Sequence, residues 1–368
     1  MNRKLCLIMA LLIFLLCAPA HAEESYDDAS VYTLVDLNGN PLTSHAGRVY
    51  VDDEYISSDN QLYVVVQVND DTHTAIAAHT GEEPPVDAAK AQEVFARAEE
   101  EQARRLICMY STHSDESYVP TDGEASLLED AGIYDVNEAF KKELEKLGIE
   151  VILDETSHLP HDAKAYSRSR RTAEELLKQS PDALLDIHRD GIPDKSEYET
   201  EVDGEETSKV RLLVGRSNPS ADANREFAKE IKAVADEKYD GLIKDIFIGK
   251  GNYNQELYPK AILLEFGTHT LDKDLVLNST PMMADVLSTV LYGSSAQAAP
   301  ETDDTENDRE ENKAGVSGIV WLIVIAVIGG LTYALISTGT LSNLGEKIRR
   351  GANEMTGGAL GKKKNRDR

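Results

Sequence analysis

Three ionisable residues, His113, His188 and Glu265, stand where short apolar runs end. His113 lies in Met109-Tyr-Ser-Thr-His-Ser-Asp-Glu-Ser-Tyr118, just after the run at 106–111. His188 follows Leu184-Leu-Asp-Ile187, and Glu265 closes the apolar part of Ala261-Ile-Leu-Leu-Glu-Phe-Gly267. If these runs are strands of an open α/β sheet, their carboxyl ends lie where such sheets bind ligands. His113 and Glu116 form a His-x-x-Glu pair in a strand-to-loop turn. With the distant His188 they supply two imidazoles and a carboxylate, the donor set of several catalytic zinc sites. Glu265 is then left as a general base. Zinc brings the pKa of a water to about 7 and polarises a carbonyl, so a carboxylate base suffices for attack on an amide. Ending four apolar residues, Glu265 needs either a partner or a function.

The elements that must position these groups can be read along the chain. Residues 31–79 form short runs rich in Val, Tyr and Thr at 31–36, 48–52, 61–68 and 72–77, with turn signals such as Asn38-Gly39-Asn40-Pro41 between them. They predict a small β module within residues 23–85. Pro84-Pro85 punctuates the chain, and 86–105 has the composition of a connecting helix. From 106 to 293 apolar runs at 106–111, 149–153, 183–187, 210–214, 245–248 and 261–266 alternate with helical patterns. The helices fall at 136–147, 169–179, 221–239 and 281–291. This alternation predicts an α/β domain, a mixed, largely parallel twisted sheet with helices on both faces.

Charge bounds the function. The 38 basic and 66 acidic residues of the 368-residue chain give a formal −28, which argues against nucleic acid as a partner. The first 22 residues carry +2 and residues 341–368 carry +5, leaving −35 between them. Arg3 and Lys4 before an apolar run, with Ala20-His21-Ala22 after it, predict a signal peptide over 1–22. An uncleaved anchor and lipid attachment at Cys17 are competing readings of the same segment. Residues 294–315, with seven acidic and two basic groups, read as a disordered acidic linker. The 21 uncharged residues 316–336 predict a transmembrane helix, since about 1.5 Å per residue spans about 31 Å. The basic tail 337–368 then lies in the cytoplasm and the acidic part outside. Cleavage would leave Cys108 as the last of three cysteines, a buried strand residue with no disulfide partner.

Four blocks carry a resemblance. Tyr110-Ser-Thr-His-Ser-Asp-Glu-Ser-Tyr-Val-Pro120, Ala165-Tyr-Ser-Arg-Ser169, Leu185-Asp-Ile-His-Arg-Asp190 and Tyr253-Asn-Gln255 with Leu263-Leu-Glu-Phe-Gly267 are similar, in this order, to the stage II sporulation protein P family. That family is a branch of the zinc-dependent N-acetylmuramoyl-L-alanine amidases, and the likeness covers residues 105–292. It implies an amidase-like mixed sheet flanked by helices. The implied activity is cleavage of the amide between N-acetylmuramic acid and L-alanine in peptidoglycan, with added endopeptidase activity on cross-links. It also implies a place in the mother-cell membrane that engulfs the forespore, with stage II sporulation proteins D and M as partners. Residue by residue, it makes His113 and His188 zinc ligands and Glu265 the catalytic glutamate. The third ligand is read as Glu116, with the alternative that, as in related amidases, it comes from the start of the next helix: Glu129, Asp130 or Asp135. Arg189 and Asp190 would bind a substrate carboxylate or brace the histidine, and Tyr253, Asn254 and Gln255 would line the groove. Better-known members are tethered at the N-terminus, whereas here the expected span is C-terminal. Two other classes fit part of the pattern: a catalytically silent wall-binding scaffold, and a metallocarboxypeptidase acting on stem peptides.

Overall fold

A computed structural model of the protein describes residues 30–83, 104–162 and 164–293. The expected signal peptide, acidic linker, transmembrane helix and basic tail lie outside these residues, as does all but the end of the connecting helix. Among the described residues no helix is long and apolar enough to cross a membrane.

Each apolar run between 106 and 266 is a strand: β6 (Leu106–Tyr110), β7 (Glu150–Asp154), β8 (Ala183–Asp190), β11 (Val210–Gly215), β12 (Ile243–Gly249) and β13 (Ala261–Thr268). The N-terminal strands are β1 (Val31–Val35), β2 (Pro41–Ala46), β3 (Glu54–Ile56), β4 (Gln61–Asn69) and β5 (Thr74–Glu82). A separate hairpin, β9 (Glu199–Val202) and β10 (Glu205–Ser208), sits between β8 and β11 in sequence. The helices are α1 (Val119–Asp122), α2 (Gly132–Lys146), α3 (Ala165–Leu177), α4 (Ala221–Lys238) and α5 (Lys273–Tyr292).

The residues read as a small β module do not stand apart. They enter one 11-stranded sheet of order β2-β1-β5-β4-β3-β12-β11-β13-β8-β6-β7, joined where β3 pairs antiparallel with β12. Strands β7, β6, β8 and β13 run parallel; β11 and β12 run parallel to each other and antiparallel to β13. The sheet is therefore mixed, and its C-terminal part is parallel on either side of one antiparallel junction between β11 and β13. Strands such as Leu106–Tyr110 are buried throughout, as parallel strands covered on both faces must be.

Side-chain alternation divides the core. One face carries Ile107, Met109, Leu185, Ile187, Leu212, Ile246, Ile262 and Leu264, and is covered by α2, α4 and α5 through residues such as Phe140, Phe227 and Val286. The opposite face is covered in two parts. Ala173 and Leu176 of α3 pack on Cys108, Tyr110 and Leu184. Tyr32, Leu34, Val49, Tyr55 and Val65 fold back over Leu213, Phe247 and Leu263. The functional residues lie on this second face, between α3 and the folded-back strands.

Three elements differ from the sequence reading, each for a physical reason. The strand expected at 48–52 is a turn with Asp52 at φ 71°, and β2 precedes it at 41–46. The inward positions of β2 are Thr43 and His45, so it carries no apolar alternation to reveal it. The last helix starts at Lys273 and runs through Pro281 instead of starting there. Proline leaves the carbonyl four residues back without its N–H partner; the Thr280 hydroxyl donates to that Leu277 oxygen at 2.8 Å. The β9–β10 hairpin has no apolar run to reveal it, since Val202 is the one apolar residue in its two strands.

Candidate metal centre

Strand β6 delivers the chain into a segment, 111–118, that is buried throughout although it is not a strand. Such a segment must satisfy its backbone internally. Thr112 N–H donates to Asp186 Oδ1 at 2.8 Å, Ser117 N–H to Ala125 O at 3.0 Å, and Leu127 N–H to Asp115 O at 2.8 Å. A turn closed by Glu116 N–H on His113 O (3.3 Å) brings the two side chains of the His-x-x-Glu pair together. Glu116 Oε1 lies 3.2 Å from His113 Nδ1 and 3.4 Å from His188 Nδ1. One donor atom from each of His113, Glu116 and His188 falls within 4.8 Å of the others, all three buried.

The donor set fits a metal. Tetrahedral coordination with bonds of about 2.0–2.1 Å places ligand atoms about 3.3–3.4 Å apart, close to the two Glu116 separations. The electrostatics agree. Burial works to raise the Glu116 carboxyl, yet His188, Arg189 and the bond from His113 hold it well below the usual carboxylate range. Burial works to lower His188, but Asp186 and Glu116 hold its pKa well above ordinary imidazole. His113 is pushed down to about 4, chiefly by burial. This pocket favours positive charge beside a neutral imidazole, which a divalent cation satisfies. Glu129 and Asp130 are exposed, and the exposed Asp135 pairs with Lys273 at 2.5 Å. Among the described residues Glu116 is the carboxylate grouped with both histidines.

Glu265 is the cross-strand partner of His188. The register between β13 and β8 then slips by one residue before Thr268 pairs with Asp190. Gly267 takes φ 69° inside that bulge, where a Cβ would come within 2.8 Å of Val276 and 2.9 Å of Ser208. Glu265 is partly exposed, but its Oε2 is buried without a hydrogen-bond partner. Burial first, then the nearby Asp190 and Glu116 charges, push its pKa up to about 8. An uncommitted carboxylate beside a metal-ligand set can take and return a proton.

The other expected site residues sit differently. Arg189 N–H donates to Glu116 Oε2 at 2.9 Å, while its guanidinium donates to Ser117 O and Ala125 O, pinning the loop that carries the ligands. Asp190 is buried, and its Oδ2 accepts from Tyr198 Oη (2.7 Å) and Arg211 Nη1 (2.9 Å). It faces the interior, in the bracing position that was one of the two expectations for it. Asn254 and Gln255 are also buried, with their amides bonded to the surrounding chain. Asn254 donates to Tyr166 O and Ser169 Oγ, and Gln255 bridges Gly215 N–H and Leu213 O. The polar residues close a tight turn, with Tyr253 and Asn254 both at positive φ. Tyr253 is the partly exposed member, its ring 5.4 Å from Tyr166, which in turn lies 5.5 Å from His113.

Two further residues at the candidate site, Asp186 and His161, carry weaker signals in the sequence. Asp186 lies 2.9 Å from His188 Nε2 and orients that ring. The Asp-x-His spacing, which puts both on one face of β8, was the available signal. His161 stacks on His113 at 3.9 Å and binds Asp115 at 3.0 Å. Its loop offers no periodicity from which that could be read.

Residues 36–288 match the model of the family described as Stage II sporulation protein P (SpoIIP). The chain is 28% identical over 208 residues to Stage II sporulation protein P of Bacillus subtilis (strain 168), an overlap of 51% of this chain and 52% of that protein. The chain thus spans about half the length of that curated relative. Among solved structures it is similar to the N-acetylmuramoyl-L-alanine amidase AmiC2 of Nostoc punctiforme, with TM-score 0.33 and 15% identity, covering 51% of this chain and 94% of that one. It is also similar to the catalytic domain of the amidase CwlV from Bacillus (Paenibacillus) polymyxa var. colistinus, with TM-score 0.33 and 16% identity, covering 51% and 98%. With its family match running from the N-terminal strands through the metal-ligand group into the last helix, the chain belongs to the stage II sporulation protein P family.

Proposed function

We propose that this protein is a zinc-dependent peptidoglycan hydrolase of sporulation that cleaves the amide between N-acetylmuramic acid and L-alanine, with peptide cross-links as a second substrate. The observation that carries the reading is the buried His113–Glu116–His188 group with Glu265 as the cross-strand neighbour of His188. A bound Zn²⁺ would supply Lewis acidity, lowering the pKa of a water and polarising the scissile carbonyl. His113, Glu116 and His188 would hold it, with Asp186 fixing the His188 tautomer. Glu265 Oε2 takes the proton of the attacking water and returns it to the departing amine nitrogen. A carboxyl whose pKa burial has raised suits both halves of that transfer.

The tethering is part of the proposal. The −35 between two basic termini and the uncharged stretch 316–336 support an extracytoplasmic catalytic domain anchored by a C-terminal helix. Family membership supports action at the engulfing membrane with stage II sporulation proteins D and M. The test is mass spectrometry of products released from a defined cross-linked glycan by the purified full-length chain. Zinc-dependent release of stem peptides with free N-terminal L-alanine is expected. Release that persists after complete metal removal overturns the reading, and free C-terminal D-amino acids would replace it with a carboxypeptidase.

A further inference from the structure

Four charged residues are successive cross-strand partners in one row of the sheet: Asp245 of β12, Arg211 of β11, Glu265 of β13 and His188 of β8. Alternation puts them on the same face. Opposite charges set side by side on neighbouring strands attract, so Arg211 and Glu265 are placed to pair. They do not. The buried Arg211 guanidinium turns the other way, with Nε on Asp245 Oδ1 (2.7 Å), Nη2 on Asp245 Oδ2 (2.9 Å) and Nη1 on Asp190 Oδ2 (2.9 Å). Two further acceptors come from the far edge of the sheet. Strand β2 folds back so that Nη2 also reaches the Thr43 hydroxyl at 2.8 Å and the Ser44 carbonyl at 2.9 Å. Thr43 Oγ1 additionally receives Lys244 Nζ at 2.6 Å and lies 3.2 Å from both Asp245 Oδ2 and Glu197 Oε2. Glu265 Oε2, one strand away, has no hydrogen-bond partner.

We infer that the Thr43 hydroxyl and Ser44 carbonyl of the N-terminal strand β2 are positioning groups for catalysis, holding Arg211 on Asp190 and Asp245 so that it does not clamp Glu265. The N-terminal strands thereby belong to the catalytic centre. A guanidinium paired bidentately with Glu265 would fix the carboxylate and quench it as a base. Removing the Thr43 hydroxyl takes away one of the two β2 acceptors of Nη2 and loosens that arm of the fork, while His113, Glu116 and His188 are untouched. The inference rests on the reading of Glu265 as the base of a zinc hydrolase.

The test uses the full-length chain carrying Thr43→Val, which keeps the β-branched shape and deletes the hydroxyl, beside Thr43→Ser, which keeps it. Expected are a fall in kcat of at least about tenfold with KM unchanged in T43V, and wild-type kcat in T43S. Zinc stoichiometry should match the wild type in both. In a crystal structure of T43V, an Arg211 nitrogen is expected within hydrogen-bonding distance of the Glu265 carboxylate. Wild-type kcat in T43V, or the same loss in T43S, overturns the inference. If T43V does not fold, the comparison passes to Thr43→Ala against T43S with the same two outcomes. If the wild-type chain releases no peptide, the hydrolase reading fails by itself. The crystal structure still decides the contact, and Arg211 remaining on Asp190 and Asp245 in the variant overturns the inference.

Discussion

Asp186 Oδ1 lies 2.9 Å from His188 Nε2, and the same carboxylate accepts Thr112 N–H at 2.8 Å and Thr112 Oγ1 at 2.6 Å. One side chain thus ties the histidine of β8 to the start of the loop that carries His113 and Glu116. Asp186→Asn keeps the size and loses the charge that orients and polarises the ring. Zinc affinity is expected to fall about 10–100-fold, measured by competition with a chromophoric chelator. Unchanged affinity would remove Asp186 from the orientation of the site.

In the proposed mechanism Glu265 serves the proton transfer and stands outside the ligand group. Glu265→Gln is expected to lower kcat by about 10²–10⁴-fold, the usual worth of a positioned base, with zinc content unchanged. Peptide release and metal analysis on the same preparation check this. Parallel loss of zinc would instead make Glu265 a ligand.

His45 of β2 is buried with its ring stacked on Phe247 at 3.9 Å. Burial pushes its pKa down to about 3, helped by Arg211 and Lys244 and opposed by Asp245, the charged groups facing it from β11 and β12. The unfolded imidazole protonates near 6.5, well before the folded one. Stability from this group is therefore present above about pH 6.5 and is lost as pH falls toward 3. The slope is at most about 1.4 kcal/mol per pH unit. His45→Phe retains the stack and is expected to show a smaller drop in urea midpoint between pH 7 and pH 5 than the wild type. Equal drops would show that His45 is not the titrating group.

Thr280 repairs the helix at Pro281 by donating to Leu277 O. Thr280→Val leaves that carbonyl without its donor in a buried helix and is expected to cost about 1–3 kcal/mol. Thr280→Ser should cost much less. Urea unfolding at pH 7 measures both.

How much was legible follows from which residues act locally. Six of the eight strands between 106 and 268 were readable because strands of a sheet covered on both faces leave continuous apolar runs. His113, His188 and Glu265 were readable because each ends such a run. Glu116 was one of four candidates for the third ligand. Its grouping with the two histidines depended on a turn and a buried loop whose hydrogen bonds reach Ala125 and Asp186.

What the amino-acid order determined by itself was the candidate donor set and the apolar strands that present it, since both depend on residue type and short-range period. Tertiary structure alone decided that Thr43 and His45 of β2, 222 and 220 positions before Glu265 in the chain, close over Arg211 and Phe247. It also decided that Asp190, Asn254 and Gln255 face inward as braces. Polar side chains in a buried network carry no periodic signature; their roles depend on partners brought near only when the sheet folds back on itself.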